Sequence, residues 1–283
     1  VRFLFVSKIH EMTDRHIRGE VRFGESEPWR FAKGSSETVS ISVVSEAVGQ
    51  LASWLSLKNT NFSGRPVFLF ASRIDLSAGV PLNSVVQLSA EITDESADSF
   101  LFSGEAKLGE QTVVKINDCG GYLMPLADLE DPHVTKARFE TLISNGFEAN
   151  PGSSRFSYES LIDTIKDHVA GRQVIAKKRF LGSEPFYPDH FPRFPVTPIV
   201  VINEMIAQAT RSMMSVSGRA SDVGLVPVSV RDLKIKSFIR PGDSVEIVIK
   251  HSESMMPEFE TVAEVVLDGK RILRGRYRYR LDQ

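Results

Sequence analysis

A weak internal repetition divides this sequence into two copies of one plan, and no other feature restricts its folding as much. Ser45-Glu46-Ala47-Val48-Gly49-Gln50 is echoed by Asn203-Glu204-Met205-Ile206-Ala207-Gln208. Upstream, Glu27-Pro28-Trp29 is echoed by Glu184-Pro185-Phe186. Downstream, Val67 to Leu76, containing Ser72-Arg73-Ile74-Asp75-Leu76, is answered by Val226 to Ile235, containing Val230-Arg231-Asp232-Leu233. A proline-marked turn and an alternating strand follow each, Ser84 to Thr93 and Ser244 to Ser252. Each half therefore reads strand, strand, buried helix, then several long strands.

The segments after each helix alternate apolar and polar residues with period two, the pattern of half-buried antiparallel strands. Asp268-Gly269 accepts the positive φ angles of a type I′ turn, so Val262 to Leu267 and Arg271 to Leu281 are expected to be the arms of a hairpin. In the second half, Thr197 can cap a helix, Pro198 suits its first position, and Ile199 to Ile202 form a run that only a buried helix tolerates. A carboxylate inside that helix, Glu204, is unexpected. Between the halves, Leu129 to Ser160 reads as a connector. Asp131-Pro132 starts a short helix there, Asn150 to Ser154 forms a turn, and the boundary falls near Gly152. Ser157 to His168 has helical spacing of Leu161, Ile162 and Ile165.

With 283 residues, 42% hydrophobic and 25% charged, and a formal net charge of -2, the chain has the composition of a soluble globular protein. Domains commonly hold about 100–200 residues, so two are expected. The single cysteine, Cys119, cannot form an internal disulfide, and the opening residues do not read as a signal segment. A reducing cytoplasm is the expected setting. The start at Val1 is compatible with a trimmed protein or with a piece of a larger synthase.

The strongest local motif is a Pro-rich loop running into the second helix: His190-Phe191-Pro192, then Pro195, then Pro198, then Glu204 and Gln208. This arrangement resembles the β-hydroxyacyl-ACP dehydratases of bacterial fatty-acid synthesis. It departs from the family where Arg193 and Ile199 stand in place of glycines. The resemblance implies an α+β double hotdog, two antiparallel sheets each wrapped around a central apolar helix. Residues 1–128 would form the first hotdog, 129–153 the connector and 154–283 the second hotdog. In homodimeric relatives each site takes its histidine from one hotdog and its carboxylate from the neighbour's helix. Carried onto this chain, His190 should face Glu46. Glu204 is the alternative partner, and would otherwise point to a degenerate site around Lys33, where Phe31-Ala32-Lys33-Gly34-Ser35 lacks histidine and prolines. One working site per chain follows.

Elimination of water from a 3-hydroxyacyl thioester needs a base for the C2 proton and an acid for the departing hydroxyl. Neutral imidazole, from His190, meets the first need, and a desolvated carboxyl meets the second. Gln50, one turn beyond Glu46, could orient it. The Ile199 backbone N–H at the start of the helix could hold the thioester oxygen. Phe186, Tyr187, Phe191, Phe194, Pro198 and Ile199 are candidates to line an acyl tunnel. The resemblance implies an acyl-carrier protein as partner, no cofactor and no metal, with association of two chains left open. Acyl chain length and pathway are not written in these residues.

Each functional reading has a plainer counterpart. His190 could bond a loop carbonyl, and Glu46 with Gln50 could be an ordinary helix-surface pair. Asp189 reads as a loop residue. His10 and His16 lack the i, i+4 spacing of a helical zinc pair. No Gly-x-Ser-x-Gly elbow and no glycine-rich phosphate loop is present, which removes the common serine-hydrolase and nucleotide-binding readings. Asn61-Phe62-Ser63 matches a glycosylation sequon by pattern only. Arg274, Arg276, Arg278 and Arg280 share one strand face, which could steer an acidic carrier protein or simply be a charged solvent face. Nucleic-acid binding has little support. The rival functions are a non-catalytic acyl-binding hotdog and a hotdog thioesterase, which would not need His190 in its Pro-rich setting.

Overall fold

Among the described residues one antiparallel sheet of twelve strands dominates the fold, in the order β1-β2-β6-β7-β8-β4-β11-β14-β13-β12-β10-β9. The computed structural model describes residues 3–25, 38–77, 79–148, 161–215, 224–255 and 257–281. The first six strands in that order are β1 (Lys8–Met12), β2 (His16–Arg22), β6 (Val85–Glu95), β7 (Ser99–Leu108), β8 (Gln111–Pro125) and β4 (Gly64–Leu76). The other six are β11 (Leu225–Ile235), β14 (Lys270–Leu281), β13 (Glu258–Leu267), β12 (Ser244–Met255), β10 (Gln173–Arg179) and β9 (Thr164–Val169). Read outwards from the centre, the two sets follow the same plan. They meet at the antiparallel pairing of β4 with β11, where Arg73 stands opposite Arg231 and Ile74 opposite Val230. The two sheets expected from the sequence are thus two halves of one continuous sheet. A separate ribbon pairs β3 (Thr38–Val39) with β5 (Val80–Pro81).

Each half wraps a helix, α1 (Ile41–Asn59) in the first and α4 (Ile199–Met214) in the second. Both are buried almost all round, which their apolar sequences permit and which only a core position would stabilise. Glycine lets α1 lie close to the strands: a Cβ on Gly104 would come within 2.7 Å of both the Ser89 carbonyl and a Val48 methyl. The repeat extends to hydrogen bonding. Gln50 Oε1 accepts from the Phe5 amide and Gln208 Oε1 from the Leu161 amide, each at about 3 Å, so each helix is tied to the chain that leads into its first strand.

The hairpin forms as its Asp-Gly pair dictates, with φ of 49° at Asp268 and 73° at Gly269 between β13 and β14. The connector begins with α2 (Leu126–Leu129) and α3 (Pro132–Ser144). The Asp131 carboxylate accepts from the His133 amide at 2.9 Å and so caps α3.

Two local expectations are corrected. Thr197 does not cap α4. Pro198 is the N-cap, with no side-chain bond to the helix, because the Thr197 hydroxyl is engaged by the Tyr187 hydroxyl at 3.0 Å. Ser157 to His168 is not a helix where it is described: Thr164–Val169 is β9, paired antiparallel with β10. Leu161 is buried while Ile165 and Val169 are exposed, so the apolar spacing that suggested a helix face spans a core residue and a solvent-facing strand edge. The motif Glu27 to Trp29, the segment Phe31 to Ser35 with Lys33, the turn Asn150 to Ser154 and the Gly152 boundary lie outside the described residues.

Candidate active site

The loop from Phe180 to Pro198 is held by a chain of short backbone bonds. The His190 amide donates to the Phe186 carbonyl at 3.0 Å, the Val196 amide to the His190 carbonyl at 3.0 Å, and the Thr197 amide to the Ile239 carbonyl at 2.8 Å. Asp189 is more than a loop residue, since its Oδ2 accepts from the Phe3 amide at 2.9 Å and fastens the loop to the N-terminal segment. The His190–Phe191 peptide is cis. Rings pack His190 on two sides: Phe191 stacked at 4.5 Å between centroids and Phe3 edge-on at 4.9 Å.

This packing fixes the chemistry of the imidazole. Its Nδ1 lies 3.0 Å from the Val196 carbonyl oxygen. A carbonyl can only accept, so Nδ1 carries the proton and Nε2 of the neutral ring keeps its lone pair. Burial pulls the His190 pKa down to about 4, the Val196 carbonyl opposes this, and the positive charge of Arg65 pulls in the same direction as burial.

His190 opens on a cavity of about 90 Å³ that is also lined by Glu46 and Gln50 from α1, Arg65 and Val67 from β4, and Ile199 and Ile202 from α4. Gln50 Nε2 donates to Glu46 Oε1 at 3.2 Å. Desolvation pushes the Glu46 carboxyl above the usual carboxylate range, against smaller opposite effects of Gln50 and Arg65. At the start of α4, the Ile199 amide has no intrahelical acceptor, as holds for the first turn of any helix.

Glu204 lies elsewhere. It borders a second cavity, of about 160 Å³, together with Ser42, Ser45, Arg211, Tyr277 and Tyr279. Arg211 Nη1 donates to its Oε1 at 3.3 Å, and burial still raises the carboxyl to about 6. The structure therefore brings His190 together with Glu46, and Glu204 with Arg211.

Among the expected tunnel residues, Phe191 and Ile199 line the first cavity. The others are placed differently. Phe186 and Tyr187 are core residues packed edge-on against each other at 4.6 Å. Phe194 sits under Arg240, whose Cζ is 3.9 Å from the ring centre, and Pro198 serves as the N-cap of α4. Arg193, at one of the positions where the family has glycine, turns away from the cavity: Nη1 donates to the Ala127 carbonyl at 2.8 Å and Nη2 to Asp131 Oδ2 at 3.3 Å. Sequence reasoning missed Arg65, which lines the cavity from the start of β4. Its only signal was a charge inside Gly64-Arg65-Pro66, between a buried helix and a strand.

The outer face of β14 is alternately basic as expected, but its charge is largely met by carboxylates. Arg274 pairs with Glu264, Arg276 with Glu260 and Asp232, and Arg278 with Glu258 and Glu260. β14 is paired on both sides, by β11 and β13, so such a face supports the charged solvent face over a free basic stripe. His10 is bonded to Glu20 at 2.9 Å. Among the described residues no group of three or more His, Cys, Asp or Glu could hold a metal ion, and no helix is long and apolar enough to cross a membrane.

Comparison with known proteins bears on the second half and on the whole fold separately. Residues 166–270 match the family model ApeI-like, described as ApeI dehydratase. The 3-hydroxyacyl-[acyl-carrier-protein] dehydratase FabZ of Aromatoleum aromaticum is 31% identical over 115 residues, covering 39% of this chain and 78% of the relative. Two solved structures match nearly end to end. One is a putative oleoyl thioesterase from Lactobacillus plantarum (TM-score 0.60, 9% identity, 95% of this chain and 97% of that one). The other is the dehydratase domain from the CurF module of curacin polyketide synthase (TM-score 0.57, 11% identity, 100% of each chain). At such identities the likeness establishes the double hotdog fold, which dehydratases and thioesterases share.

Proposed function

The chain belongs to the hotdog family of 3-hydroxyacyl-acyl-carrier-protein dehydratases, and from that premise we propose that it removes water from 3-hydroxyacyl thioesters on a carrier protein, giving trans-2-enoyl thioesters. The observation that carries the reading is the shared cavity: an imidazole with an unprotonated Nε2 and a carboxyl with a raised pKa open on the same apolar space. In this mechanism His190 Nε2 takes the C2 proton. The protonated Glu46 carboxyl donates to the departing C3 hydroxyl, and the electron pair left by the C2–H bond forms the double bond. The Ile199 amide faces the thioester oxygen as charge develops on it. Gln50 holds Glu46 by one hydrogen bond and is itself held by the Phe5 amide.

The two carboxyls have different surroundings, and only one belongs to this mechanism. Glu204 has a guanidinium beside it and stands with Arg211 in the other cavity. One reacting centre per chain is the reading, with the domains divided near the connector. A cytoplasmic setting goes with it, as does an acyl-carrier protein that delivers the substrate. Association of two chains is left to direct measurement.

Hydration of a trans-2-enoyl thioester, followed by loss of enoyl absorbance, tests the reaction in reverse. The wild-type chain should consume the enoyl thioester, and His190→Ala should not. Release of free thiol without hydration would replace the dehydratase by the thioesterase, and binding without either reaction would leave an acyl-binding protein.

A further inference from the structure

We propose that Arg65 is a positioning residue: braced by Glu130 over the Phe191 ring, it fixes the histidine loop and presents one positive charge to the cavity that His190 and Glu46 share. Its catalytic meaning rests on the dehydratase reading, whereas its effect on the imidazole does not.

The geometry is a stack that crosses between the halves. Arg65 is the second residue of β4 and its Nη1 donates to Glu130 Oε1, at the end of α2. Both side chains are nearly enclosed, 12% and 9% exposed. The Arg65 Cζ lies 4.8 Å from the centre of the Phe191 ring, and that ring also stacks on His190 at 4.5 Å and 21°. Guanidinium and imidazole thus both pack against one phenyl ring, and a cation over an aromatic face is attracted to it. A buried ion pair often contributes no more stability than apolar residues of the same volume. A methionine could fill the space of Arg65 but could not supply its field.

That field acts on a site with few other charges. On its own loop, His190 has Asp189, which is taken up by the Phe3 amide, and Arg193, which is turned onto the connector. From α1 the cavity has Glu46; Glu130 on the connector is taken up by Arg65 and Arg138, and Arg240, after β11, stacks on Phe194. The part of α4 that lines the cavity is Ile199 and Ile202. A fixed positive charge disfavours imidazolium, so it reinforces burial in keeping His190 neutral. It favours carboxylate, so it limits how far burial raises Glu46. Removing it should move both groups upward together, and the whole pH–rate bell with them. A purely structural brace would lower the rate without translating the profile.

The test uses the full chain, with Arg65→Met/Glu130→Leu to remove both members of the buried pair and Arg65→Gln as an independent neutral variant. The His190 ring carbon is followed by NMR titration, assigned with His190→Asn, and kcat/KM for enoyl thioester hydration is measured across pH. In either folded neutral variant the His190 midpoint should rise by about one unit and both limbs of the bell should move the same way. Arg65→Lys should keep the midpoint near that of wild type. An unmoved midpoint, with or without a lower rate, would overturn the proposal. So would failure of both neutral variants to fold, which would make the pair a structural brace. If the wild-type chain hydrates no enoyl thioester, the proposed function fails while the titration still decides the role of Arg65.

Discussion

The two cavities start from nearly the same helix sequence and end with different chemistry. Each borders a buried helix carrying Glu-x-x-x-Gln. Around Glu46 the direct partner is a neutral amide, Gln50, and the neighbouring loop supplies an imidazole. Around Glu204 the partner is a cation, placed seven positions further along the helix at Arg211. The corresponding position after Glu46 is Ser53, whose hydroxyl donates to the Gly49 carbonyl at 3.0 Å. A single side chain, serine or arginine on the same helical face, thus separates a carboxyl bonded to a neutral amide from one paired with a guanidinium, although burial raises both. The repeat preserved the helix because the core requires it. It did not preserve the electrostatics, which only a reacting site requires.

The largest effects should separate the two glutamates. His190→Ala and Glu46→Gln should each lower kcat for enoyl thioester hydration by about 10²–10⁴-fold, the usual range for loss of a general acid or base. Glu204→Gln should leave kcat within about twofold, a surface-like effect on the rate. Equal losses at Glu46 and Glu204 would break the comparison, because the cavities would then be equivalent.

A transplant sharpens it. Ser53→Arg should place a guanidinium near Glu46, favour its ionised form and cost about 10-fold in kcat at neutral pH, recovering in part as the pH falls. The rate profile of the purified variant checks this. Recovery in the opposite direction would show that Glu46 acts as a carboxylate rather than as an acid.

Stability should report on the second cavity. The Glu204 carboxyl is raised to about 6 from an ordinary value of 4.5. The unfolded chain therefore releases that proton at lower pH than the native one, and the native state loses stability as pH rises through the window from 4.5 to 6. Glu204→Gln removes this dependence, so relative to wild type it should gain on the order of 1–2 kcal/mol between pH 4 and pH 7. Denaturant titrations at the two pH values measure it. His190 works in the opposite sense. Its pKa is depressed to about 4, so the unfolded chain takes up a proton first as pH falls below about 6.5. His190→Asn should accordingly flatten acid destabilisation between those values.

The smallest expected effect concerns the loop brace. Arg193→Ala removes bonds to Ala127 and Asp131 at a half-exposed position, and should cost about 1 kcal/mol or less in stability, read as a small fall in denaturation midpoint.

Much of this was legible in the sequence because the same evidence occurred twice. The apolar helices, the long alternating strands and the Asp268-Gly269 hairpin are local patterns, and local patterns survive reading. The expectation that Glu46 stands opposite the histidine loop came from the repeat and the family resemblance, and the two residues line one cavity. What was not legible depends on meetings between distant segments. The sheet is continuous because β4 and β11 happen to present complementary edges, which neither strand's composition announces. β9 was misread as helix although its counterpart β1 opens the first half as a strand, since Leu161 and Ile165 have ambiguous spacing over so short a stretch. Arg65 lies far along the chain from His190, and their shared cavity and common packing on Phe191 reveal that they are neighbours.

The seam between β4 and β11 has one further result. Where two separate chains must find each other to complete such a site, the reacting centre is subject to mass action and disappears on dilution. Here the partner is always attached, at an effective concentration set by the connector rather than by the amount of protein in the cell. Turnover per molecule should therefore be the same in a crowded and in a nearly empty solution.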